Sequence, residues 1–412
     1  RGLGDVYKRQ RQEGVGTTME VSRRGFLAAG AGGVGVTSLS MLSSCAEQRD
    51  AAPQELPLRS ASIAFDGAHQ AGVQQPAQAS LNLIGFRLNQ GVDAKAIVRL
   101  MRLWTEDARR LTAGQNPLGS LEPELTTWPA NLTITCGFGP RIFQVAAPHV
   151  APAWLHDIPA LSRDQLDPQW GQTDLVLQIC CDDPVMGAWA MRHMTRAGVD
   201  YVRTAWVQQG FVNAHGATPE GETPRNLFGQ VDGTVNPRTD EDFAQQVWIN
   251  EGPLAGGTSL VVRRIAMHLD TWELLDRRSR EEVVGRTLAT GAPLTGGDEF
   301  TEPDLQARDA YGLPVIDPNS HMARARATGA KILRRPYNYS LPPEPGATEL
   351  SNVGLIFMAY QQDPDASFTP LLTHLNEADR LNEWITHIGS AVYYIPRGTA
   401  AGEYWGQGLF QD

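Results

Sequence analysis

Two stretches of this 412-residue chain carry residue types that could do chemistry. In residues 223–237, TPRNLFGQVDGTVNP, Asp232 stands in a Gly-x-x-Asp-Gly turn between Gly229 and Gly233. Glycines let the backbone adopt positive φ or approach a ligand closely, so a carboxylate held between them can be aimed at a target. A fixed carboxylate can take a proton from one atom and return it to another. The ordinary alternative for an Asp-Gly pair is an Asx-turn. In residues 317–339, DPNSHMARARATGAKILRRPYNY, one histidine, His321, precedes the Arg334-Arg335 pair. Imidazole is a metal ligand or proton carrier, and guanidinium is a permanent cation that can stabilise a departing anion. A lone histidine, one of nine here, is more often structural, and an exposed arginine usually sits in a surface ion pair.

Two further stretches complete the pattern: AFDGAHQAGVQQPAQA at residues 64–79 and LNEWITHIGSAVYYIPRG at residues 381–398. Taken together and in this order, the four stretches resemble the dye-decolorizing peroxidases, a family of haem b enzymes, over residues 63 to the C-terminus. The likeness is to the exported branch that includes the deferrochelatase/peroxidase of bacterial iron uptake. The resemblance implies an α+β fold of duplicated ferredoxin-like units, of the dimeric α+β barrel type. It also implies antiparallel sheets and one haem b per chain, mainly against the C-terminal half.

Residue by residue, the resemblance makes His321 the axial ligand of haem iron. It makes Asp232 and Arg334 the catalytic pair on the peroxide side. Gly233, Thr234 and Val235 are expected against haem, as are Arg326, Ala327 and Thr328. That last run departs from the family's usual Asn-Pro-Arg, which leaves open the arginine that takes a propionate. Arg335 is expected to meet a propionate or another carboxylate. Gln230 also departs, standing where the family usually has phenylalanine. A ligating imidazole normally donates its second N–H to an acceptor, and Glu383 is the candidate by resemblance, with a helix-surface carboxylate as the alternative. Phe357 and Leu355 are candidates for the pocket wall. Trp384, Tyr393, Tyr394, Tyr404 and Trp405 are either core or carriers of electrons to large substrates.

The activity implied is reduction of H2O2 with oxidation of dyes or phenolic compounds. An aspartate of ordinary pKa near ~4 suits an acidic optimum. Iron release from haem during iron uptake is the alternative on the same fold, with an iron-uptake permease system as partner. A haem carrier or sensor without turnover is the third reading. A homo-oligomer is compatible with all three.

The chain as a whole sets the limits. Its net charge of −11 argues against a nucleic-acid partner, because neutralising phosphates takes clustered Lys and Arg. Residues 1–18 read as a spurious prefix before Met19. Ser22-Arg23-Arg24-Gly25-Phe26-Leu27 opens a twin-arginine export signal over residues 19–45. The apolar run to Leu42 is too short and glycine-rich for a membrane span. It ends Leu-Ser-Ser-Cys, which resembles a lipobox, so Cys45 is expected to carry a lipid anchor, with an ordinary cleavage site as the alternative. The resulting location is periplasmic or extracellular. Residues 46–62 read as a linker. Cys136, Cys180 and Cys181 show no C-x-x-C spacing and read as buried thiols.

Periodicity then places the elements that hold these residues. The first half, residues 63–245, reads as strand 80–89, helix 94–112, strands 132–138 and 174–181, helix 184–196 and strand 202–212. The second half, residues 246–412, repeats the order. It reads as strand 258–269, helix 280–287, strand 354–361, helix 371–386 and strand 391–396. The first half is a βαββαβ order, and the second, with one strand fewer visible, reads as a unit of the same ferredoxin-like kind.

Overall fold

The computed structural model describes residues 58–219 and 221–410. The export signal, Cys45 and most of the linker lie outside the described residues. Nine strands form the framework. They are β1 (Ser80–Leu88), β2 (Thr133–Phe138), β3 (Leu175–Cys181), β4 (Val202–Phe211) and β5 (Thr258–Met267). After these come β6 (Leu333–Arg334), β7 (Tyr337–Leu341), β8 (Asn352–Gln361) and β9 (Ile385–Ile395).

The two halves build the same sheet. In the first, the order is β4-β1-β3-β2; in the second it is β9-β5-β8-β7, with β6 also on β8, and every pairing is antiparallel. The sheets meet at two seams, Phe138 opposite Tyr394 and Phe211 opposite Asn338, which close a circuit of strands. This is the duplicated, barrel-type α+β architecture that the resemblance implied.

Alternation along each strand sends one set of side chains into the barrel and the other outward. Leu81, Leu83 and Cys180 from the first sheet pack inside with Leu260, Val262, Ile356, Met358 and Tyr360 from the second. Cys181 faces the other way, into the core beneath the helices Ala94–Thr112 and Pro184–Ala197. The first of these helices starts cleanly because the Asp93 side chain accepts the Ala96 N–H. Cys136, Cys180 and Cys181 are free and buried, and burial raises their thiol pKa values.

On the outer face of the second sheet, Leu355 and Phe357 of β8 stand beside Ile265 and Met267 of β5. Two helices cover this face, His321–Ala327 and Phe368–Ala378. The last stretch of the chain corrects the sequence reading. The helix expected over residues 371–386 stops at Ala378, a 3₁₀ turn covers Arg380–Glu383, and β9 starts at Ile385 rather than residue 391. Asp379 causes the stop: its side chain accepts the Leu381 N–H and caps the 3₁₀ turn.

Candidate functional site

Between the outer face of the second sheet and its two covering helices lies a largely apolar cavity. It has about 1260 Å³ of empty volume, mouth included. Its wall includes Phe228, Ile265, Leu355, Phe357, Leu372 and Ile385, and its polar members include Gln230, Asp232, His321, Arg334 and His387. The fold therefore brings the three residues singled out first by sequence to one space.

His321 opens its helix directly after Ser320. Its Nδ1 lies 2.6 Å from Oδ2 of Asp379, a carboxylate that is 3 % exposed. The ring donates from Nδ1, which leaves the Nε2 lone pair free on a residue that lines the cavity. Burial works against an imidazolium here, but the charge and hydrogen bond of Asp379 outweigh it, so the net pKa of His321 is raised. Asp379 thus takes the place assigned to Glu383. Glu383 lies on the 3₁₀ turn, exposed, with its carboxylate 3.7 Å from Arg163. The misplaced helix end explains the error, since the residue that ends the helix is also the one that reaches His321.

Asp232 is placed by a turn that needs its glycines. Gly229 has φ +80° and Gly233 φ +132°, values costly for any residue with a Cβ. Asn226 donates from Nδ2 to Asp232 Oδ2 at 3.3 Å. Asn236 holds the loop against β6, donating to the Arg334 carbonyl at 2.7 Å and accepting the Arg334 N–H at 2.9 Å. The result is an ion pair, Arg334 Nη1 to Asp232 Oδ1, at 3.3 Å. Strand alternation separates the two arginines. Arg334 faces the cavity, whereas Arg335 is buried toward the barrel side and donates to the Gln75 and Pro76 carbonyls and to Gln78 Oε1. Arg335 therefore meets neutral oxygens rather than the carboxylate expected of it.

Two flanking tripeptides lie elsewhere. Gly233, Thr234 and Val235 are not among the cavity-lining residues; Gln230, Val231 and Asp232 are. The turn at Gly233 carries the chain away, so that Thr234 donates to Glu299 at 2.9 Å and Val235 is 55 % exposed. Of the helix after His321, Ala325 lines the cavity, while Arg326, Ala327 and Thr328 do not. Arg326 is engaged by Glu302, Ala327 is exposed, and Thr328 caps the helix end.

Sequence reasoning missed a second polar group on the sheet wall. Arg263, fully buried in β5, pairs with Asp164 at 2.5 Å and donates from Nε to Nδ1 of His387 at 3.2 Å. Burial and the Arg263 charge push the His387 pKa down to about 3, so its ring is neutral and carries its proton on Nε2. Its presence in a Thr-His-Ile-Gly strand was visible, but its partner is 124 positions away. Among the aromatics considered as electron carriers, Tyr393, Tyr394, Tyr404 and Trp405 are buried. Trp384 is half-buried and meets Trp272 edge-on at 5.3 Å.

The cavity suits a porphyrin. Among the described residues no group of three or more His, Cys, Asp or Glu could hold a bare metal ion. A single free imidazole nitrogen over an apolar space instead suits a metal that arrives inside its own macrocycle. Asp232 Oδ1, Gln230 Nε2 and Arg334 Nε are buried without hydrogen-bond partners, which is the state expected of groups awaiting a ligand.

Comparison with known proteins agrees with this geometry. The family description "Dyp-type peroxidase, N-terminal" matches residues 70–212, and "Dyp-type peroxidase, C-terminal" matches residues 223–400. The crystal structure of a DyP-type peroxidase from Cellulomonas bogoriensis is similar, with 46% sequence identity and a TM-score of 0.83. The match covers 86% of this chain and 100% of that one. A dye-decolorizing peroxidase from Thermobifida fusca is 34% identical over 95% of this chain and 97% of its own length. A deferrochelatase from Escherichia coli (strain K12) is 29% identical over the same shares.

Proposed function

The chain belongs to the Dyp-type peroxidase family of haem enzymes, and from that premise we propose how its own residues serve the reaction. His321 would hold haem iron through Nε2, with Asp379 fixing its tautomer and orientation. Haem supplies the redox chemistry when bound. Asp232 moves a proton from the inner to the outer oxygen of H2O2, directly or through one water. Arg334, held 3.3 Å from that carboxylate, stabilises negative charge on the leaving oxygen. The apolar remainder of the wall keeps bulk water from competing for these donors. Dyes or phenols are the reducing substrates, oxidised at the protein surface or the cavity mouth.

The observation that carries this reading is the meeting of His321, Asp232 and Arg334 on one cavity although they are up to 102 positions apart. The test is to load the purified chain with haem and mix it with H2O2 and a phenol. A Soret band that responds to peroxide, with turnover of the phenol, is expected. A haem-loaded chain whose spectrum is indifferent to peroxide would overturn the peroxidase reading and favour a carrier or sensor.

Release of iron from haem is the second reading, favoured by the deferrochelatase similarity. It requires free protoporphyrin fluorescence to grow as haem is consumed under reductant. The same proposal places the enzyme outside the cytoplasm. Arg23 and Arg24 would direct twin-arginine export and Cys45 would carry a lipid. Mass analysis of the mature N-terminus decides between a lipid-bearing Cys45 and plain cleavage.

A further inference from the structure

Gln230 puts a carboxamide into a largely apolar cavity that Phe228, Ile265, Leu355 and Phe357 also line. The residue is 4 % exposed, and its Nε2 has no hydrogen-bond partner. Its backbone is fully used: the N–H donates to Asn226 Oδ1 at 3.3 Å and the carbonyl accepts the Asn226 N–H at 3.0 Å. A buried amide left unpaired is costly, whereas phenylalanine or leucine would occupy the same place at no polar cost. The amide is explained by an acceptor that enters with the ligand.

The local backbone says where that acceptor sits. Gln230 and Asp232 flank Val231, which forms an isolated antiparallel bridge with Arg225. Both flanking residues line the cavity. Asp232 Oδ1 also lacks a hydrogen-bond donor, despite the 3.3 Å charge contact with Arg334. An unfilled N–H and an unfilled carboxylate oxygen on one cavity match a small species that accepts with one oxygen and donates from an O–H.

We propose that Gln230 is a positioning residue for the oxygen ligand: its Nε2–H donates to an oxygen whose own O–H donates to Asp232 Oδ1. Water and hydrogen peroxide both have this chemistry. Gln230 thereby orders the proton that Asp232 transfers, and it is a third polar group on that wall beside Asp232 and Arg334. The inference rests on the haem peroxidase reading.

The test uses the haem-loaded ferric chain and fluoride, an anion that accepts hydrogen bonds but donates none. Gln230→Leu and Gln230→Met remove the N–H at similar volume. Fluoride affinity should fall about fivefold in both, on the order of one hydrogen bond, with a shifted charge-transfer band. Carbon monoxide, a poor acceptor, should bind the ferrous variants as it binds the parent. The melting temperature should hold or rise, because an unpaired amide has been removed. Unchanged fluoride affinity and spectrum in both variants would overturn the proposal. So would equal losses for fluoride and carbon monoxide, which would make Gln230 a packing residue. A parent chain that shows no Soret band removes the functional reading and this inference with it. A parent Soret band with fluoride binding untouched by either substitution removes this inference alone.

Discussion

The walls of the cavity are finished to different degrees. On the helix side, His321 and Asp379 satisfy one another at 2.6 Å, and the second Asp379 oxygen accepts the Leu381 N–H. On the loop side, Asp232, Gln230 and Arg334 keep unpaired atoms in buried positions. A completed network fixes a ligand rigidly, while an incomplete one keeps hydrogen-bonding capacity for something that arrives and leaves. The contrast separates holding from reacting, and substitutions on each wall should separate them too.

The largest effect should come from the helix side. His321→Ala removes the proposed bond to iron, and haem retention should drop at least a hundredfold, read from the Soret band after gel filtration. Added imidazole should restore part of it. On the loop side, Asp232→Asn should retain haem while its peroxide reaction slows about a thousandfold, with Arg334→Leu slowing about a hundredfold. Haem loss in Asp232→Asn would erase the division between the walls. Asp379→Asn should weaken haem binding about tenfold through misorientation of His321, again in the retention assay.

A smaller effect belongs to the sheet wall. The His387 pKa lies near 3, below the ordinary 6.5, so between those values the unfolded chain binds a proton that the folded chain does not. Stability from this group is therefore present above pH 6.5 and falls as the pH drops, by up to about 1.4 kcal/mol per pH unit. Urea unfolding of the apoprotein at pH 7, 5.5 and 4.5 should show this loss, and His387→Gln should flatten it. Glu383→Ala loses a 3.7 Å contact to the cavity-lining Arg163 but touches none of His321, Asp232 and Arg334, so haem retention and peroxide reaction should change little.

Much of this was legible in the chain. The 3.6-residue stripe of residues 94–112 marked its helix to the residue, because Ile97, Leu100, Met101, Trp104 and Ala108 all face one core. The βαββαβ repeat announced the paired sheets, and the glycines around Asp232 announced a constrained turn. What escaped was tertiary. Asp379 looked like one more acid in a continuing helix, and only the fold shows it ending that helix beside an imidazole 58 positions away. The Asn236 clamp on β6 and the Arg263–His387 contact likewise depend on strand pairing that no local pattern encodes. The tripeptides 233–235 and 326–328 were carried by resemblance, and the cavity lining stops one residue before each, at Asp232 and Ala325.

The seams between the sheets have a consequence for how the chain can be divided. Each seam is one residue pair wide, Phe138–Tyr394 and Phe211–Asn338, yet the interior packed behind them draws side chains from both sheets. A chain cut between β4 and β5 would give each fragment two raw strand borders and an uncovered greasy face. Such fragments would clump when made singly and re-zip when made together. The peroxide site, although built almost wholly from the later fragment, would be inherited only by the reunited pair.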